Sequence, residues 1–124
     1  MIDEVIDYLD QSVRNKAKKQ LVEDITGIIV FLEQIAPTRI KAILPTIDSV
    51  KNNLKTYITN IQRFIEPRDK TRVAEFYRLS VDIVKQMQTH MSNIETGYDY
   101  PISDNYIPLS EKLVKLSEDI ISCE

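Results

Sequence analysis

Apolar residues recur along this chain at steps of three and four, the period of an amphipathic helix. In residues 2–35 they fall at Ile2, Val5, Ile6, Leu9, Val13, Ala17, Leu21, Ile25, Ile28, Leu32 and Ile35. Asp3, Glu4 and Asp7 suit the positive end of a helix dipole, and Pro37 disfavours helix at the residue before it. The pattern predicts a first helix over 3–36. The polar stretch from Arg14 to Gln20 is the place where it would break in two.

The second stripe is the most regular. Ile40, Ile43, Ile47, Val50, Leu54, Tyr57, Ile61 and Phe64 alternate steps of three and four, and Leu44, Ile58 and Ile65 widen the face. This predicts a helix over 38–66, capped by Thr38 and kinked at Pro45. A third stripe runs through Val73, Phe76, Tyr77, Ser80, Ile83, Val84, Met87, Met91 and Ile94. It predicts a helix over 69–96, capped by Asp69 or Thr71 and stopped by Gly97. Residues 98–108 hold two prolines among Asp, Asn and Ser and read as a loop. Ser110 then caps a last helix over 109–122, with Leu113, Leu116 and Ile120 inward. No segment alternates with period two. The expectation is an all-α, antiparallel up-and-down bundle of four helices, five if the first one breaks, with no sheet and one domain over 1–124.

Composition removes several functions. The chain has 124 residues with two glycines, one histidine and one cysteine. Two glycines do not build a phosphate-cradling loop, and one His with one Cys falls short of a zinc ligand set. Di-iron bundles need Glu-x-x-His, but Met87 stands three before His90. Cys123 has nothing nearby in sequence to activate its thiol. The expectation is therefore a non-enzymatic protein without cofactor or metal. The longest apolar run is Ile28–Leu32, far below the ~20 residues of a membrane span, so no membrane role is expected. The acidic start shows no signal-peptide pattern, and a lone cysteine suits a reducing compartment, so the expected location is cytoplasmic.

Net charge is −3, laid out unevenly. Residues 39–72 carry eight Lys/Arg against three Asp/Glu, while 95–124 carry two against seven. Complementary helices explain this within the fold. The alternative is an anion or nucleic-acid surface built from Lys41, Lys55, Arg63, Arg68, Lys70 and Arg72, the sort of patch a small subunit of a nucleoprotein assembly presents. A further alternative is phosphorelay chemistry at His90, the only imidazole. Histidine-phosphotransfer domains place a Lys and a Gly soon after that residue. Met91, Ser92, Asn93 and Ile94 follow here.

The favoured reading is a protein-binding adaptor or regulatory bundle. Five apolar residues in a row, Ile28 to Leu32, cover a helix's whole circumference, which turns Val30 and Phe31 away from the main stripe. They are candidates for contact with a partner or a second copy, a homodimer being the simplest form. Tyr98, Tyr100 and Tyr106 crowd the expected loop and are candidates of the same kind. The uncharged face of the second helix, including Asn53 and Asn60, reads as solvated.

Overall fold

A computed structural model describes residues 11–64 and 69–122. They form four α-helices: α1 (Gln11–Ile35), α2 (Leu44–Arg63), α3 (Lys70–Glu95) and α4 (Ile107–Ile121). The described residues contain no strand. α1 runs unbroken through residues 14–20, so the bundle has four described helices and not five. The acidic first turns expected at 3–10 lie outside the described residues.

The second helix starts later than its stripe suggests. A 3-10 turn over Ala36–Thr38 follows α1, and the Thr38 hydroxyl donates to the Ile35 carbonyl at 2.6 Å. Thr38 thus closes α1's corner and does not cap α2. Arg39 and Ile40 are extended, and a second 3-10 turn, Lys41–Ile43, leads into α2. Pro45 stands in the first turn of α2, where its missing N–H has no partner to lose. The expected kink is absent, and Ile40, assigned to the stripe by spacing, is 67% exposed. Beyond Pro45 the heptad holds: Ile47, Val50, Leu54, Tyr57 and Ile61 are all buried.

α3 begins where Asp69 accepts from the backbone N–H groups of Thr71 and Arg72 at 3.1 and 3.3 Å. It ends in a Schellman motif. Tyr98 N–H donates to the Asn93 carbonyl and Gly97 N–H to that of Ile94, with Gly97 at φ +103°.

The expected loop over 98–108 is mostly helix. The backbone is helical from residue 100, widens into a π-turn over Ile102–Tyr106 and continues as α4. The Ile107 N–H reaches back five residues to the Ile102 carbonyl. In a regular α-turn the ring of Pro108 would crowd the Asp104 carbonyl, and the wider turn relieves this. Pro101 sits in the first helical turn, where it does no harm. Ser110, expected as a cap, lies inside the helix and is fully buried.

Consecutive helices alternate in direction, yet chain neighbours do not all touch. α1 packs on α2 and α3, and α4 packs on α2 and α3. The ring order is therefore α1, α2, α4, α3: two antiparallel hairpins joined along two parallel seams. α2 and α3 face each other across the diagonal. The α2–α4 seam carries a polar ladder. Asn53 donates to Ser110 at 3.1 Å, and Asn60 donates to Ser117 at 2.9 Å. Each serine in turn donates to its own helix, to the Ile107 and Val114 carbonyls. Both steps are seven residues, as parallel helices in register require. The Asn/Thr face of α2 is thus not wholly solvated: two of its asparagines tie the seam together.

Inside the ring, Phe76 meets Tyr57, Phe64 and Tyr77 with centroids 5.3–6.1 Å apart. The Tyr57 hydroxyl lies beside that of Ser80. Burial pushes this phenol's pKa well up, Ser80 offsets part of the rise, and Tyr77 adds to it.

Candidate functional site

The turn between α3 and α4 is held by one side chain from the opposite hairpin. Arg39, extended between two 3-10 turns, reaches across the end of the bundle. Its guanidinium donates to the Ile94 carbonyl in the last turn of α3 and lies 3.3 Å from Asp99. The Arg39 side chain is 7% exposed and that of Asp99 26%. A cation at a helix C-terminus is favoured by the dipole as well as by the bond. Gly97 is required by its φ of +103° and not by this approach, since an added Cβ would meet the guanidinium at an ordinary 3.9 Å.

The clamp has apolar neighbours in both segments that it joins. Ile40 follows Arg39, and Tyr98 and Tyr100 flank Asp99. The two tyrosine rings sit 6.0 Å apart, tilted against each other, 58% and 54% exposed. Val30, 43% exposed, lies on α1 a turn and a half before its C-terminus, at the same end. These four are the exposed large hydrophobics among the described residues, and all belong to one end of the bundle.

The sequence candidates therefore separate. Tyr98 and Tyr100 are exposed on this turn, and Val30 is exposed near the end of α1. Tyr106 is fully buried, and its hydroxyl donates to the Met87 carbonyl of α3. Desolvation raises its pKa. Phe31 joins the hydrophobic core at 9% exposure, which removes the ground for placing it in an interface. With α2 and α3 on either side of α1, the bundle itself covers all of the run 28–32 except Val30. Ile40 and Arg39 were not anticipated. Pro45 was the available signal, because a proline seven residues after Thr38 fits a helix starting at Pro45 better than one starting at Thr38.

The basic candidates do not assemble. Lys41 is at the tyrosine end, and Lys55 is exposed midway along α2. Arg63, Lys70 and Arg72 are at the other end, about 30 Å from Lys41 by the rise of α2. Arg68 lies outside the described residues. Near Arg63, Lys18 sits 4.9 Å from the centre of the Phe64 ring. His90 is half-buried on α3, and Cys123 lies outside the described residues. No cluster of three or more His, Cys, Asp or Glu among the described residues is arranged to hold a metal. Grooves flank the bundle, and two of them are lined by helix faces. One of about 370 Å³ lies between the start of α3 and the end of α4, lined by Arg72, Glu75, Phe76, Leu79, Leu116 and Asp119 among others. One of about 240 Å³ lies between α1 and α3, with Ala17, Leu21, Val81 and Val84. Neither brings together a nucleophile and a base.

No known protein family, no curated protein and no solved structure matches this chain. No helix among the described residues is long and apolar enough to cross a membrane.

Proposed function

We propose that this protein is a non-enzymatic, protein-binding helical bundle of the cytoplasm that docks its partner on the end bearing Ile40, Tyr98 and Tyr100. One observation carries the reading: the exposed large hydrophobics gather at one end, beside a nearly buried Arg39 clamp that fixes the turn presenting them. Tyrosine on a rigid backbone loses little entropy on binding and offers both apolar area and a hydroxyl. A nucleic-acid role has less support, since the basic side chains spread over both ends and phosphate recognition needs them on one track. The test is capture from a host extract on immobilised wild type and on Tyr98→Ala/Tyr100→Ala. A partner retained by the first and lost by the second, with helix content unchanged by circular dichroism, is the expected result. An identical set of retained proteins overturns the assignment.

A further inference from the structure

The tyrosine end is also an acidic end. Glu95 closes α3 three residues before Tyr98, and Asp104 follows Tyr100 by four residues, about one helical turn, on the same side of the chain. Both are exposed, and neither has an ion-pair partner among the described residues. Arg39 and Lys51, two cations of this half of the bundle, are engaged elsewhere. Arg39 pairs with Asp99, and Lys51 lies 3.7 and 3.8 Å from Glu33 and Asp48. Lys41 and the exposed Lys112, five residues after the start of α4, are the other cations toward this end.

Three occupants can be weighed against this layout. A second copy docking by a two-fold axis would bring the unpaired Glu95 and Asp104 of both copies to one seam, and like charges meeting in an interface are disfavoured. An acidic segment meets the same repulsion. A basic segment meets two carboxylates without partners, beside two tilted tyrosine rings whose faces attract cations. Arg suits such a site in particular, because its guanidinium stacks on an aromatic face while donating to a carboxylate.

Building on the docking surface proposed above, we infer that its occupant is a basic protein segment, whose Lys or Arg side chains lie against Tyr98 and Tyr100 and pair with Glu95 and Asp104. The rings hold the cation at the surface, and the carboxylates steer it there, so affinity depends on both.

The probe is a fluorophore-labelled oligo-arginine peptide titrated into the full chain and followed by anisotropy, with an oligo-glutamate peptide of equal length as control. Amide shifts in nitrogen-15 spectra locate the contact. The expected result is saturable one-to-one binding, with the largest shifts over residues 95–104 and none from the glutamate peptide. Tyr98→Ala/Tyr100→Ala weakens binding about fivefold or more, as the loss of two exposed cation–π contacts implies, whereas Tyr98→Phe/Tyr100→Phe keeps most of it. Glu95→Gln/Asp104→Asn weakens it and flattens its dependence on salt. Shifts centred elsewhere, non-saturable binding, or an alanine pair that binds like wild type overturns the inference. So does a wild-type dimer in light scattering that the alanine pair dissociates, for then the occupant is a second copy. If the peptide fails while the alanine pair still loses its extract partner, this inference alone falls. If both fail, the docking assignment falls with it.

Discussion

Arg39→Met tests whether the clamp holds the tyrosine turn. Methionine keeps much of the aliphatic stem in place and removes the guanidinium. Two interactions go. The first is a charged hydrogen bond to the Ile94 carbonyl, a type worth about 1.5–3 kcal/mol. The lower figure applies, because that carbonyl still accepts from the Gly97 N–H at 3.0 Å. The second is the ion pair with Asp99 at 3.3 Å. Its atoms are not aligned as a hydrogen bond, Asp99 is a quarter exposed and can recover water, and the pair is worth about 1 kcal/mol or less. Against these stands a relief: the buried Arg39 Nε has no partner, and its loss removes a desolvation cost. The balance is a destabilisation of about 2 kcal/mol. For a chain of 124 residues this lowers Tm by about 8 °C, read at 222 nm by circular dichroism. Asp99→Asn, which spares the carbonyl contact, should cost about half as much. A Tm within 2 °C of wild type for Arg39→Met, confirmed by urea unfolding, would refute the clamp. A larger loss for Asp99→Asn than for Arg39→Met would show that Asp99 does its work through some other contact.

Three further outcomes follow from the interior. Leu54→Ala and Ile61→Ala, both fully buried in the α2 stripe, should each cost about 2–5 kcal/mol in denaturant unfolding. Ser117→Ala should cost about 1 kcal/mol by stranding the Asn60 amide, and Ser117→Leu more, because the fully buried seam has no room for it. Tyr57 and Tyr106 both have phenol pKa values raised by burial, so the folded state holds protons that the unfolded state releases. Stability is therefore complete below about pH 10 and falls above it, by at most about 1.4 kcal/mol per pH unit for each phenol. Tyr57→Phe/Tyr106→Phe should flatten that alkaline decline in unfolding experiments run at stepped pH, and an unchanged slope would count against buried phenols as its source.

What the sequence determines here is local. The heptad through Ile47, Val50, Leu54, Tyr57 and Ile61, the Asp69 cap and the Gly97 stop are legible because a helix repeats every few residues and its ends need particular donors, acceptors or a positive φ. Even the start of α4 is written in the chain. Ile102, Tyr106, Leu109 and Leu113 keep the stride of four, three and four, and the two prolines hide it only because both fall where a helical turn tolerates them. What the tertiary structure alone decides is who faces whom. An apolar stripe buries itself against any other stripe, since the hydrophobic effect has no direction. Nothing in the periodicity says that α4 lies beside α2 and α3 across from it, and so nothing marks Asn53 and Asn60 as ladder rungs. The same holds for residues 28–32. An unbroken apolar run has no polar side of its own, and only the positions of α2 and α3 bury Phe31 and leave Val30 in water. The docking end arises in the same way. Arg39 and Asp99 are sixty residues apart in sequence, and their meeting across the bundle brings the segment that carries Ile40 and the turn that carries the two tyrosines to the same end.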